Sequence, residues 1–404
     1  MRRLTSTVFI AAAMTMAGAA QQPAPAAQAP DHVRTLVGQL DLERYKATIA
    51  GLSAFGDRRE GTERNRKAVD WIEAQLKSYG CETGRISYDP ENPTGEPPQP
   101  PAARRGRGQG PQAAPRTPAG TPEDPFRRGA GGKGFGARTG VNRDPLRQPD
   151  EAIRALSAGD VIPGNVDEVY CTKRGATRPG EMYIIGGHMD GLGFGTATND
   201  DGSGTAIVME LARILNAPGV VTDVSIRFAL WNGEEGGLKG ARAYVAQRRE
   251  LQGSPGEPRW LAMIQHDMMM WDHGMPNPDG TLPAKQRREA DVNVEFQETS
   301  KLAAEAQKLA WFFRSANEKY ATDYPATVGN HMQSTDSVPF MDIVPALSMR
   351  ENERRDHIGY GWDPNWHQPT DVMTTYTDDD FRLGLNAAQT TLAAIAQLAG
   401  ATIR

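Results

Sequence analysis

The sequence predicts an α/β fold: a mixed, largely parallel, twisted sheet with helices on both faces. Three observations predict it. Short apolar strand-like runs alternate with amphipathic helical stretches along most of the chain. The runs are rich in β-branched and apolar residues, as strands buried on both faces require. The polar residues that follow them are His, Asp, Glu and Asn, the types that gather at the carboxyl ends of strands in open α/β sheets.

In chain order, the N-terminus reads MRRLTSTVFIAAAMTMAGAA, with Arg2 and Arg3 before an apolar stretch from Val8 to Ala13. Small residues Ala17, Gly18 and Ala19 follow, so residues 1–20 read as a secretory signal peptide; the apolar run is too short for a span. Paired arginines hint at twin-arginine export. Residues 21–31, QQPAPAAQAPD, read as a flexible leader, and residues 32–404 as a single catalytic domain.

Within that domain, residues 62–79 place Val69, Ile72, Leu76 and Tyr79 on one helical face. CETGRISYD and NVDEVYCTK read as strands, carrying the only two cysteines, Cys81 and Cys171. In an exported protein such a pair suggests one disulfide; the alternative is two buried thiols. Between these strands, residues 90–150 are rich in Pro, Gly and Arg and poor in aliphatic residues. That composition predicts a disordered insert interrupting the domain.

EMYIIGG (181–187) is a strand, 203–216 a helix and VSIRFALW (224–231) a strand. A helix follows across LKGARAYVAQRREL. WLAMIQ (260–265) is strand-like, 300–321 a helix and PALSMR (345–350) a last strand. Thr377 and Asp380 form a capping-box start for a C-terminal helix carrying Leu385, Leu392, Ile395 and Leu398.

A net charge of -5 without a long basic run argues against nucleic acid as a partner. The chemistry sits at the strand ends. His188 and Asp190 follow the first central strand. Asn232, Gly233, Glu234 and Glu235 follow the second, and His266 and Asp267 the third. Crowded carboxylates repel unless cations neutralise them. Histidine and carboxylate without thiolate suit a catalytic zinc. In GGHMDGLGFGTATNDDGSG, His188 offers a ring nitrogen, and Asp190 can orient that ring through its other nitrogen. The glycines let the loop return so that Asp200 reaches the same point and bridges two metals. Residue types alone do not choose between Glu234 and Glu235.

GGHMD, TNDDGSG, NGEEGGLKGA, IQHDM and WHQPTD, in this order, resemble the co-catalytic dizinc exopeptidases, a family of secreted bacterial aminopeptidases, plasma glutamate carboxypeptidase and the more distant glutaminyl cyclases. The resemblance covers roughly residues 40–88 and 163–400. It implies the zinc exopeptidase fold and two Zn2+ per chain. It assigns His188 and Asp267 to one zinc, Glu235 and His367 to the other, and Asp200 to both. Glu234 becomes the general base, and Asp190 the support of His188. His367 is preferred over His32, His266, His273, His331 and His357 because WHQPTD follows the last predicted strand.

The implied activity is aminopeptidase hydrolysis of peptides or dipeptides by a hydroxide held between the zincs. The alternatives are a dipeptidase or carboxypeptidase, a one-zinc glutaminyl cyclase-like acyltransferase, and a binding ectodomain without catalysis. Export to the periplasm or beyond is expected, with no membrane span and an unspecified oligomeric state. Two departures from the family stand out: Thr335-Asp336-Ser337 where many members have Asp-His, and Trp366 where some aminopeptidases carry Tyr. Phe340, Tyr360, Trp362 and Trp366 are candidates for walls of a substrate pocket.

Overall fold

A computed structural model describes residues 30–96, 141–274, 281, 283–351 and 363–404. The signal-peptide expectation, nearly all of the leader, Tyr360, Trp362 and His357 lie outside the described residues. Residues 32–404 cluster as one compact unit.

The elements in order are helices α1 (His32–Val37), α2 (Leu42–Ser53) and α3 (Glu63–Ser78), strand β1 (Glu82–Tyr88), helix α4 (Glu151–Leu156), and strands β2 (Val166–Lys173) and β3 (Arg178–His188). Helix α5 (Gly202–Leu215) follows, then β4 (Val220–Val221), β5 (Val224–Trp231), α6 (Lys239–Arg248), β6 (Arg259–His266) and β7 (Val292–Glu295). The chain continues through α7 (Ala303–Tyr320), β8 (Ala326–Gly329), β9 (Ala346–Arg350), α8 (Asp378–Leu398) and β10 (Thr402–Ile403).

Eight strands form one sheet in the order β1-β2-β5-β3-β6-β9-β7-β8. The central four, β5, β3, β6 and β9, run parallel. β1, β2 and β7 add antiparallel pairings toward the edges. All eight residues of β5 are buried, as a mostly apolar central strand requires, and its one charge, Arg227, is paired with Glu257 at 2.6 Å. One face packs against α2, α3, α5, α7 and α8. The other packs against α6 and an aromatic group of Tyr244, Trp260, Trp231 and Phe340.

Helix boundaries follow their caps. Thr62 accepts from the Asn65 amide to start α3, and the Thr377–Asp380 capping box starts α8. A Cys81–Cys171 disulfide ties the start of β1 to β2. No described helix is long and apolar enough to cross a membrane.

The composition of the insert misplaces its edges. Residues 141–150 are anchored at two buried points, Asn142 and Gln148: the Asn142 backbone N–H donates to His367 O at 3.0 Å. The Asn142 side chain donates to Gly193 O at 3.1 Å. Gln148 Nε2 donates to Phe194 O and Pro369 O, both at 2.8 Å. This segment clips the glycine-rich loop to the loop carrying His367. Polar side chains satisfying loop carbonyls hold it there, not apolar burial.

Candidate metal centre

The parallel register puts the carboxyl ends of β3, β5, β6 and β9 side by side, with His188 paired to Trp231 and Gly187 to His266. His188, Asp200, Glu235, Asp267 and His367 therefore converge, although they span 180 positions of sequence. His188 Nε2 lies 3.2 Å from Asp200 Oδ1 and 3.8 Å from Asp267 Oδ1. His367 Nε2 lies 3.0 Å from Asp200 Oδ2 and 2.6 Å from Glu235 Oε2.

Two ligand sets result, His188–Asp200–Asp267 and Asp200–Glu235–His367, each with its donor atoms within 4.8 Å of one another. Asp200 belongs to both and offers one oxygen to each. These contacts lack hydrogen-bond alignment. Asp200 Oδ2, Glu235 Oε1 and His367 Nε2 are buried with no hydrogen-bond partner among the described residues. Buried polar atoms this close that do not bond each other need a shared third partner. Nitrogen and oxygen donors in two sets of three, each leaving room for substrate or water, fit a pair of zinc ions.

The electrostatics point the same way. Burial works against a charged His367, but Glu235 and Asp200 outweigh it and lift its pKa to about 10. Burial, with Asp200 beside it, raises Glu235 to about 7. Burial also raises the Glu234 carboxyl well above the usual range, reinforced by Asp267 and Asp336. The cluster demands positive charge, which divalent cations supply.

Asp190 departs from the sequence expectation. The ring of His188 faces the Asp190 backbone carbonyl, with Nδ1 3.1 Å from that oxygen. The carboxylate oxygen is farther, at 3.7 Å. The Asp190 carboxylate instead accepts the backbone N–H of Glu234 at 3.1 Å and of Glu235 at 3.4 Å. It fixes the β5–α6 loop that carries both glutamates.

Three residues that sequence reasoning left out hold the ligands. Asp201 caps α5 through Gly204 at 2.8 Å and also accepts the N–H of His188 at 3.1 Å and of Met268 at 3.2 Å. It joins three ligand-bearing segments. Asp371 of WHQPTD accepts the N–H of Asn199 at 2.8 Å and of Asp200 at 3.2 Å. Arg350, at the end of β9, places Nη2 3.4 Å from Asp267 Oδ2. Acids within the quoted motifs were the available signal for the first two; a strand-terminal arginine gave none.

Two glycines of the stretch from His188 to the start of α5 are required by contact. A Cβ on Gly193 (φ +98°) would sit 2.3 Å from the His367 carbonyl carbon, and one on Gly204 2.5 Å from His266 O. His367 itself has φ +56°, uncommon for a residue with a side chain.

Of the expected pocket walls, Phe340 is fully buried in the aromatic group on the opposite side of the sheet, with its ring centroid 5.5 Å from Trp260. It is a core residue. Trp366 stacks on the His367 ring, centroids 3.7 Å apart. His266 is buried between Gly186 O and Thr391, and burial drops its pKa to about 4. His273 bonds Asp380 at 2.9 Å. Neither joins the ligand sets.

The family model described as "Peptidase family M28" matches residues 168–390. A probable lipoprotein aminopeptidase, LpqL, of Mycobacterium tuberculosis is 26% identical over 230 residues, covering 54% of this chain and 42% of that protein. An aminopeptidase of Pseudomonas aeruginosa is 40% identical over 138 residues, 32% of this chain and 25% of that protein. The chain thus spans less than half the length of these curated relatives. Among solved structures, BSAP, a zinc aminopeptidase from Bacillus subtilis, superposes with a TM-score of 0.59 at 17% identity, covering 89% of this chain and 95% of that one. At that identity the likeness concerns the fold.

Proposed function

The chain belongs to peptidase family M28, and from that premise we propose that it is a zinc-dependent aminopeptidase that removes N-terminal residues from peptides. The observation that carries this reading is the pair of ligand sets sharing Asp200 at the end of the parallel sheet. Aminopeptidase names among the relatives favour cleavage from the amino end.

In this reading His188, Asp200 and Asp267 hold one zinc, and Asp200, Glu235 and His367 the other. When bound, the pair supplies Lewis acidity that activates water and polarises the scissile carbonyl. Glu234 stands beside the ligands on the loop fixed by Asp190. Its carboxylate takes a proton from the attacking water and passes it to the nitrogen of the leaving amine. Burial raises its pKa, so it gains affinity for that proton. The Trp366 indole N–H, on a ring stacked over His367, stands where some relatives have a phenol, and donates only one hydrogen bond. Export is supported by the disulfide and by the lipoprotein relative.

The test screens aminoacyl and dipeptide substrates on zinc-loaded protein, with chelated protein as control. Two zinc ions per chain and activity lost on chelation are expected. Glu234→Gln keeps both metals and lowers turnover by a factor of roughly 10²–10⁴. One zinc per chain without peptidase activity overturns this reading and favours the cyclase chemistry; full activity in the variant removes Glu234 as the base.

A further inference from the structure

Two cavities, about 530 Å³ and about 890 Å³, open onto Glu235, and Arg59 and Leu192 line both. Cavities of this size hold small ligands. Arg59 sits in the turn between α2 and α3, and its neighbour fixes that turn. Arg58 is fully buried with φ +51°. Its guanidinium donates to Met189 O and Thr196 O at 2.7 Å and to Ala197 O at 2.9 Å, all in the loop that runs from His188 to Asp200. The turn is thereby fastened to the ligand loop itself. Thr62 Oγ1 donates to Arg59 O at 2.6 Å and adds a second tie. The backbone is fixed, and the Arg59 side chain is left exposed in the cleft.

Of the other cations lining these cavities, Arg143 is exposed and lines only the larger one, and the rest are committed. Arg64 pairs with Asp57 at 2.7 Å, Lys239 with Glu60 at 2.8 Å, and Arg154 with Glu151 at 3.5 Å while donating to Gln148 O. Arg59 has no ion-pair partner among the described residues. Asp89, Glu91 and Asp160 line the same cavities, and none lies within ion-pair distance of it. A planar guanidinium on a rigid turn beside the ligand set suits a carboxylate, which it can grip with two parallel bonds.

We propose that Arg59 binds the α-carboxylate of a di- or tripeptide, so that the enzyme selects short peptides with a free C-terminus. The inference rests on the hydrolase reading above and adds the substrate class. The test compares kcat/KM for short peptides as free acids and as C-terminal amides, in the wild type and in Arg59→Gln and Arg59→Lys. The wild type is expected to prefer the acid by about tenfold or more. Arg59→Gln collapses the acid-to-amide ratio toward one through KM, and Arg59→Lys restores part of it. A wild-type ratio near one, or a ratio unchanged in Arg59→Gln, overturns the proposal. Calorimetry with a dipeptide whose peptide bond is reduced to CH2–NH, as acid and as amide, separates the two readings. Acid-selective binding that depends on Arg59, without hydrolysis of any peptide, keeps this proposal and sinks the hydrolase reading. Hydrolysis without acid selectivity does the reverse.

Discussion

Replacing Asp190 by Asn tests the arrangement at its least obvious joint. Residue 190 is fully buried and accepts two backbone N–H groups, of Glu234 at 3.1 Å and Glu235 at 3.4 Å. Asn keeps one acceptor oxygen but turns an NH2 toward the other N–H. One charge-assisted bond is lost, and a buried donor is left facing a donor. Bonds to charged groups contribute about 1.5–3 kcal/mol; the longer of the two lies at the weak end. A loss of about 2 kcal/mol corresponds to roughly thirtyfold in affinity. That loss falls on the loop presenting Glu235, so zinc should weaken at the Glu235–His367 position. The His188 position should hold, because its ring faces the Asp190 carbonyl, which the substitution preserves. The assay is competitive zinc titration in three backgrounds: wild type, Glu235→Ala and His188→Ala. Asp190→Asn should add little to Glu235→Ala and should strip most remaining zinc from His188→Ala. The opposite pattern would mean that the carboxylate acts on the imidazole, and the reasoning from the hydrogen bonds would be wrong.

Other outcomes follow from the scaffold. The Cys81–Cys171 bond closes a loop across a sequence separation of 90. Loop entropy for that length is about 4–5 kcal/mol, an upper figure for a well-fitted bond. The Cys81→Ala, Cys171→Ala protein should show a lower urea midpoint by an amount approaching that figure; equal midpoints would contradict it. Glu73 bonds Lys77, Arg85 and Thr83 across α3 and β1, and the Lys77 contact leads in bringing its pKa down from 4.5 to about 2. A depressed pKa gives stability that is present above about pH 4.5 and lost as pH falls toward 2. Glu73→Gln should therefore cost about 1 kcal/mol or less at neutral pH, given solvent screening, and the gap to the parent should close between about pH 5 and 2. A gap that widens on acidification would reverse the sign of the argument.

The parallel core was legible because EMYIIGG, VSIRFALW and WLAMIQ are mostly apolar, and His188, Glu235 and Asp267 because each closely follows one of those runs. The four-residue strands β7 and β8 were not read, since VNVE and ATVG are too short for any period to emerge. Asp190 was assigned to the ring because a histidine two residues away is its nearest chemical partner in sequence. Its actual partners lie 44 and 45 positions on. Phe340 was grouped with the aromatic residues near the last ligand as a pocket wall; only the sheet's geometry places it in the aromatic core cluster. Residues 141–150 were lost to composition. Proline and arginine say nothing about whether Asn142 and Gln148 will find loop carbonyls to bond.

A tension remains inside the fold, and it bears on how metal and stability are linked. Beneath the ligand sets lie Asp201, Asp336, Glu351 and Asp363, all buried, and burial raises the pKa of every one. Some are well satisfied: Glu351 accepts Asn199 Nδ2 at 2.8 Å and the Trp271 N–H at 2.7 Å. Asp336 Oδ1 has no hydrogen-bond partner among the described residues. So many carboxylates in one low-dielectric region oppose folding unless protons or cations offset them. Raised pKa values mean that the cluster takes up protons when no metal is present. Zinc must displace protons from His188 and His367 to bind. Zinc that binds only the folded arrangement stabilises it by mass action, so with zinc present a rise in pH toward neutrality should strengthen metal binding, whereas in the metal-free protein the same rise should lower stability as the raised carboxylates ionise. The ligand geometry and the stability of the surrounding sheet are in that sense one equilibrium, with Asp201 and Asp371 as its mechanical link.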